Sequence, residues 1–444
     1  MDRDIYSCLK KWKTEKKRKP LIIRGARQVG KTWLVNLFGK QEFENMVEIN
    51  LDFQPEFKSC FSNLNPADII QQIELTSNTD IIPGKTLLFI DEIQECPQAL
   101  KALRYLYEKK PELHIIAAGS LFEFIVDSEK ITIPVGRVQY FFLFPLSFAE
   151  FLTACGENKL RNYLKNLSLD SNIPESIHEK CTSLLYIYLY LGGMPEAISH
   201  WLDTQKFSKV DETHQLLLQN YKYDFAKYGK RANIDMLEKV FSKTPAMVSM
   251  KFKYVHIDNH VNSREVKKAL NLLIKAQVIQ KIASTSGSGL PFSAYTNDKL
   301  FKAIFLDVGL LQNSMGISSE TYMAKNIFAT YKGLVAEQFV GQQLLTLKKH
   351  YEEPNLYYWT REAKGSSAEV DYLWQQSGNI IPIEVKAGKK GTLKSLKLFL
   401  QEKNAKFGIR LSLHPLSFDN QILSIPLFAI EAMPELIEQI IADL

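Results

Sequence analysis

The sequence predicts an α/β protein in which a parallel sheet is followed by a helical middle region and a second α/β region. Three observations support this prediction. Residues 1–154 alternate apolar strands with helical segments, the pattern of a parallel sheet with crossover helices. Residues 155–240 have a mainly helical pattern. Beyond residue 315, a helix containing an acid precedes two acid-bearing strands.

Composition and charge indicate a globular chain of several domains. The chain has 444 residues, of which 45% are apolar, and its net charge of +6 is too small to indicate nucleic-acid binding. Five widely spaced cysteines indicate a reducing compartment and argue against a cysteine zinc site. No apolar run approaches the roughly 18 residues needed to span a membrane. The first residues do not resemble a signal peptide. We therefore expect a cytoplasmic protein that does not contact membranes.

A phosphate-binding loop is the most specific motif in the chain. The segment from Gly25 to Thr32 has the pattern G-x-x-x-x-G-K-T and directly follows an apolar strand at residues 21–23. Such a loop points backbone N–H groups at phosphate oxygens, and its Lys and Thr reach the β/γ-phosphates and Mg²⁺. The sequence therefore predicts an ATP site with bound Mg²⁺. Its predicted contacts are Gly25, Ala26, Arg27, Gln28, Val29, Gly30, Lys31, Thr32 and Trp33.

A second element expected of such a site is a buried strand that ends in acids. The apolar run at residues 86–90 is followed by Asp91 and Glu92. The carboxyl ends of parallel strands face the ligand, so Asp91 is predicted to hold the Mg²⁺ shell. Glu92 is predicted to polarise the water that attacks the γ-phosphate.

Two further residues are predicted at this site, each with an alternative. Ser120 ends the strand at residues 114–119 and either contacts the γ-phosphate or the attacking water, or caps the next helix. Arg137 either stabilises the transferred phosphoryl group, in its own subunit or a neighbour's, or pairs with a surface acid.

Residues 240–310 have the pattern of a winged helix-turn-helix. Asn262 caps a helix whose apolar stripe contains Val266 and Leu270, and two strands are predicted at residues 278–282 and 292–295. The opposite helix face carries Arg264, Lys267, Lys268 and Lys275. This face either contacts a DNA backbone or is simply solvated, because winged helices also pack as lids over ATPase cores.

The C-terminal region contains a second candidate site. Glu337 lies in a helix, Asp371 in an alternating strand, and Glu384 and Lys386 on one face of the next strand. This order matches the PD-(D/E)xK nuclease superfamily. Glu337, Asp371 and Glu384 are predicted to hold one or two Mg²⁺ or Mn²⁺ ions, while Lys386 orients or activates water. The alternative is a half-buried salt bridge in a degenerate domain.

Taken in order, these motifs resemble a prokaryotic family that joins an AAA-like ATPase to a C-terminal domain of formerly unknown function. The motifs are the phosphate loop, residues 91–94, residues 118–120, Gly136-Arg137 and residues 193–195. The resemblance implies an additional-strand P-loop ATPase domain at 1–154, a helical lid at 155–240, a winged helix at 241–315 and a nuclease-like domain at 316–444. The nuclease pattern departs from the superfamily in lacking a proline before Asp371.

The leading functional hypothesis is a DNA-associated ATPase whose nucleotide state repositions the nuclease-like module. The first alternative is a non-cleaving ATP-dependent switch or scaffold that assembles with a second copy or with a protein partner. The second alternative is a regulator that binds DNA through the winged helix.

Overall fold

A computed structural model describes residues 1–119, 136–228, 233–323, 328–361, 368–388 and 391–443. The strands, β1 to β13, are Leu21–Arg24, Asn45–Asn50, Thr86–Asp91, His114–Gly119, Gln139–Phe142, Ile279–Thr285, Thr296–Phe305, Leu356–Thr360, Glu369–Gln376, Asn379–Val385, Gly408–Ser412, Ser417–Asp419 and Ile422–Pro426. The α-helices, α1 to α17, are Ile5–Thr14, Lys31–Glu42, Pro66–Ser77, Pro97–Lys109, Phe148–Ala154, Asn158–Lys165, Glu175–Leu191, Pro195–Thr204, Phe207–Asp224, Ile234–Lys243, Tyr254–Ile257, Ser263–Lys275, Val308–Ser314, Ser319–Met323, Phe328–Leu347, Lys394–Lys403 and Met433–Ala442.

The N-terminal sheet is parallel and has the order β2-β3-β4-β1-β5. Its central strands β3 and β4 are buried along their whole length, which explains their continuous apolar sequences. Successive residues pack into different cores on the two faces, as Leu87 and Leu88 do. This sheet confirms the predicted P-loop fold class. Strand β5, in the aromatic stretch, was missed from the sequence.

The middle of the chain is helical, as predicted, from α6 to α10. Helix α7 ends at Leu191, and Gly192 takes a positive φ of +69° before α8 begins at Pro195. The predicted helix break at this double glycine is confirmed. Helix α12 begins after Asn262, whose side chain accepts the Arg264 N–H, and the helix buries Val266 and Leu270 as expected.

The C-terminal part is built on a mixed sheet in the order β12-β13-β11-β10-β9-β8-β6-β7. The hairpin predicted as a wing, β6–β7, belongs to this sheet because β6 pairs in parallel with β8. The second strand of the hairpin is Thr296–Phe305; residues 292–295 form a 3-10 turn, so that strand prediction was wrong. The division predicted at residue 315 therefore runs through a single hydrogen-bonded sheet.

One continuous hydrophobic cluster joins the N-terminal, middle and C-terminal parts. It extends from Leu21 in β1 through Tyr188 in α7 to Phe339 in α15. All five cysteines are free thiols. In the described part of the chain, no helix is long and apolar enough to cross a membrane.

Candidate functional site

The phosphate loop connects the end of β1 to the start of α2. Gly30 is the last residue before the helix and has φ = +95°, a conformation that favours glycine. Gly25 lies against the backbone carbonyl of Leu143, where a side chain would collide. The two glycines of the motif are therefore required for different reasons, one for its backbone angle and the other for close packing.

Lys31 points back into the loop. Its ammonium donates to the carbonyl oxygens of Gly25 (2.9 Å) and Ala26 (2.8 Å). Burial lowers the pKa of Lys31 to about 8, although the charges of Glu92 and Asp91 oppose this shift. The lysine is thus held inside the cradle formed by the loop, where phosphate oxygens can replace the two carbonyl partners.

Thr32 and Asp91 meet at the carboxyl edge of the sheet. The Thr32 hydroxyl donates to Asp91 Oδ2 at 2.8 Å, and Asp91 Oδ1 accepts the Glu92 N–H at 2.9 Å. Burial raises the pKa of the Asp91 carboxyl, and the Thr32 hydrogen bond counteracts this in part. A hydroxyl and a carboxylate oxygen are ligands that Mg²⁺ prefers. These two residues therefore fit the predicted ion.

Glu92 has a left-handed backbone conformation, with φ = +49°. This conformation is uncommon for residues other than glycine and is often found at functional sites. The Gln94 side-chain amide donates to the Glu92 carboxylate, and Gln94 packs against Gly119 at the end of β4. Gln94 thus fixes the direction of the predicted catalytic carboxylate, a role that sequence reasoning did not assign.

Helix α9 covers one side of the loop. The Asp224 carboxylate forms an ion pair with Arg27, and the Tyr221 hydroxyl donates to the Arg27 carbonyl. A cavity of about 520 Å³ lies between the loop and this helix. Its lining residues include Gln28, Trp33, Glu92, Asn220 and Tyr223. The α9 residues were missed because they lie almost 200 positions along the chain from the loop.

Arg3 supports the loop from beneath. Its guanidinium donates to the Val29 carbonyl (2.9 Å) and to the buried Glu150 carboxylate (3.1 Å). Glu150 also accepts the Ser147 N–H in a capping box at the start of α5. Arg3 was not predicted, because the sequence around it contains no motif.

Of the two remaining predicted residues of this site, Arg137 is described by the structure, and it is not brought to the loop of its own chain. Arg137 lies just before β5, whose first residue pairs with the first residue of β1. Arg137 is therefore at the amino end of these parallel strands, whereas the loop follows the carboxyl end of β1. There its Nε donates to Glu108 at 3.0 Å, which is the surface pairing given as the alternative. A role for Arg137 in the site of a neighbouring subunit stays a prediction. Ser120 lies outside the described residues.

The C-terminal candidate residues are gathered in one cluster. Asp371 Oδ2 accepts the Val385 N–H at 2.8 Å, and Lys386 donates to Glu384 Oε1 at 2.6 Å. Two residues that were not predicted join them. Lys302 of β7 and Glu369 of β9 form an ion pair at 2.7 Å, and Lys302 also contacts Glu337 at 2.7 Å.

This arrangement does not fit the predicted metal site. Within the described ranges, no group of three or more His, Cys, Asp or Glu side chains is placed to hold a metal ion. The Lys302 ammonium instead lies among the carboxylates of Glu337, Glu369 and Asp371. Burial lowers the pKa of Lys302, but these carboxylates outweigh it and raise the pKa above the usual value. Lys302 therefore remains a cation, and the prediction of Mg²⁺ on Glu337, Asp371 and Glu384 is not supported.

Comparison with sequence families identifies the N-terminal part. Residues 17–152 match the model of an AAA domain. With the parallel sheet described above, these residues form an AAA-like P-loop domain. Residues 182–321 and 332–429 match two domains of unknown function, DUF8612 and DUF4143. A search of curated proteins gave no match.

Solved structures that match this chain include three proteins of low sequence identity. The Aeropyrum pernix ORC1 protein in complex with DNA is 10% identical, with 72% of this chain and 92% of that chain covered and a TM-score of 0.26. The Aeropyrum pernix ORC2 protein in ADPNP–ADP complexes is 13% identical (69% and 89% covered, TM-score 0.35). AMPPCP-bound DnaA from Aquifex aeolicus is 12% identical (62% and 88% covered, TM-score 0.30). At these scores, none of the three supports a functional conclusion.

The double-glycine turn of the helical middle part and the C-terminal part are joined by a buried carboxylate that was also missed. Asp307 caps α13 through the N–H groups of Gly309 (2.9 Å) and Leu310 (3.1 Å). It also accepts the Gly193 N–H at 2.6 Å and the Gln342 amide at 3.1 Å. Asp307 therefore connects the double-glycine turn with α15, the helix that carries Glu337.

Proposed function

We propose that the chain binds ATP with Mg²⁺ at residues 25–33 and hydrolyses it. The observation that carries this proposal is the convergence of Lys31, Thr32 and Asp91 at the carboxyl edge of β1 and β3. The start of α2 adds backbone N–H groups and the positive end of the helix dipole. These groups favour a polyanion beside a divalent ion.

In this proposal each side chain has a separate task. Lys31 leaves its loop carbonyls and neutralises the β/γ-phosphates, while Thr32 and Asp91 hold the ion. When bound, Mg²⁺ would supply positive charge opposite the charge that develops on the phosphates. Glu92 accepts a proton from the attacking water, and the Gln94 amide holds its carboxylate in place.

The test separates binding from hydrolysis by two substitutions. Lys31→Ala is expected to lose ATP binding, whereas Glu92→Gln is expected to bind ATP and hydrolyse it slowly. Lys40→Ala is a matched control, because Lys40 is an exposed lysine on the same helix. Turnover of Glu92→Gln at the wild-type rate would remove the proposed role of Glu92.

The finer proposal is that nucleotide state controls the C-terminal module. Pro195 packs next to Gly30 of the loop, and Gly193, two residues earlier, donates to Asp307. This short series of contacts supports mechanical coupling between the nucleotide site and α15. Hydrogen exchange of α15 in Glu92→Gln, with and without ATP, tests it; identical exchange in both states would contradict coupling.

The controlled module either cleaves DNA or acts as a switch that does not cleave. The structure favours the switch, because Lys302 lies among the predicted metal ligands. The cleaving form predicts nicking of plasmid DNA with Mg²⁺ or Mn²⁺ that is lost in Asp371→Ala and Lys386→Ala. Equal results for wild type and both variants would remove the nuclease proposal.

DNA association through α12 is a separate proposal. Arg264, Lys267 and Lys268 are exposed on this helix, opposite its buried stripe. Replacing Lys267 and Lys268 by Ala should weaken binding to DNA and flatten its salt dependence, because phosphate contacts release counterions. Unchanged binding would contradict this proposal.

A further inference from the structure

The C-terminal cluster is organised around a buried lysine on the edge strand of the sheet. Lys302 lies in β7, and its side chain is only 1% exposed. Its neighbours Phe301, Ala303 and Ile304 are buried as well. A charged side chain is almost never buried to this extent without partners, because removing it from water is costly. Lys302 therefore depends on the carboxylates around it.

Those carboxylates are largely the ones that sequence reasoning assigned to a metal. Lys302 Nζ lies 2.7 Å from Glu337 Oε1, 2.7 Å from Glu369 Oε1 and 3.8 Å from Asp371 Oδ1. The fourth carboxylate, Glu384, pairs with Lys386 at 2.6 Å. The two ammonium groups together carry the charge of one divalent cation.

The position of the ammonium is fixed by rigid neighbours. The ring centroid of Tyr358 lies 5.3 Å from Lys302 Nζ, which is within cation–π range. The Tyr372 hydroxyl donates to the Glu337 carbonyl at 2.8 Å and holds α15 against β9. An ammonium and a divalent ion cannot share the same oxygens at these distances, because their charges repel and their volumes overlap.

We propose that Lys302 takes the place of a divalent cation in this cluster, so that the C-terminal domain is a metal-free module that does not cleave nucleic acid. The two lysines do not pair with every carboxylate oxygen of the cluster. Glu384 is buried, and its Oε2 atom has no hydrogen-bond partner among the described residues. This oxygen is a cation ligand left over after the two lysines have paired.

The proposal predicts that removing Lys302 uncovers a metal site. Mn²⁺ binding is measured by electron paramagnetic resonance on the full chain without nucleotide. Lys302→Ala is expected to gain a Mn²⁺ site that the wild type lacks, and Asp371→Asn in the same chain is expected to remove it again. Lys302→Arg keeps the charge and should gain no site.

Lys281→Ala is the matched control, because Lys281 is a lysine of the neighbouring strand β6 that contacts Phe301 at the hairpin. It should also gain no site. Thermal unfolding gives a second readout: Mn²⁺ should raise the melting temperature of Lys302→Ala and leave that of the wild type unchanged.

Two results would overturn the proposal. One is a Mn²⁺ site in the wild type that Asp371→Asn abolishes, and the other is a folded Lys302→Ala protein that binds no Mn²⁺. The comparison of wild type with Asp371→Asn decides the question even if Lys302→Ala does not fold. Neither result depends on ATP, so the proposed ATPase activity is tested separately.

Discussion

Substitution of Asp307 tests how strongly the double-glycine turn at Gly193 is tied to the C-terminal part of the chain. Asp307→Ala removes the cap of α13, which typically costs about 1 kcal/mol. It also leaves the buried Gly193 N–H without its acceptor, which costs about 2 kcal/mol more. The expected total loss of stability is about 3 kcal/mol. Solvent does not weaken these interactions, because Asp307 is fully buried.

The assay for this prediction is hydrogen exchange of the segments around Gly193 and α13. Since about 1.4 kcal/mol is a factor of ten, protection of these amides should fall roughly 100-fold. Asp307→Asn retains a capping oxygen and should lose less protection. Asp298→Ala is the control, because Asp298 is an exposed acid on β7. If the amides lose no more protection in Asp307→Ala than in the Asp298→Ala control, the assigned role of Asp307 is refuted.

Three further predictions concern the phosphate loop. Burial lowers the pKa of free Lys31 to about 8, and phosphate favours its charged form, so ATP affinity should fall as pH rises above 8. Calorimetry should show proton uptake on binding, and an ATP affinity that does not change up to pH 9 would contradict this prediction. Asp224→Asn should tighten ATP binding several-fold, because it removes a negative charge and frees Arg27 from its ion pair; weaker binding would contradict that role. Arg3→Met should weaken ATP binding several-fold by releasing the Val29 carbonyl, and unchanged affinity would show that the loop does not need Arg3.

Controls for these predictions come from the same elements. Lys31→Arg, whose guanidinium does not titrate in this range, tests whether the pH dependence belongs to Lys31. Glu212→Gln removes an exposed acid from α9 that pairs only with Lys209 among the described ion pairs, and it should leave ATP affinity unchanged.

The nucleotide site was predictable because its signals are local. The loop from Gly25 to Thr32 and the strand ending in Asp91 are short motifs whose backbone geometry forces a few residue types. The parallel sheet then brings them together, since all carboxyl ends of its strands lie at one edge. For Arg137 the sequence left a surface pairing and a catalytic role open, because its order in the sequence does not show which sheet edge it occupies.

The residues that were missed are set by long-range packing. Asp224, Asp307 and Lys302 have no distinctive neighbours in the sequence, and each acts through partners on other elements. A signal for Lys302 was nevertheless present: it is a single lysine in the apolar run Phe301–Leu306. This signal was not used, because the strand was predicted at residues 292–295 instead of Thr296–Phe305, which left Lys302 outside any predicted strand.

The central claim is that residues 25–33, with Asp91, capture a triphosphate beside Mg²⁺. Calorimetric titration of Mg·ATP into folded Glu92→Gln protein, with Lys31→Ala/Glu92→Gln as reference, tests it most directly. Saturable binding of one ATP per chain that disappears in the reference is the expected result. The absence of binding to folded Glu92→Gln, or equal binding by both proteins, would contradict the claim.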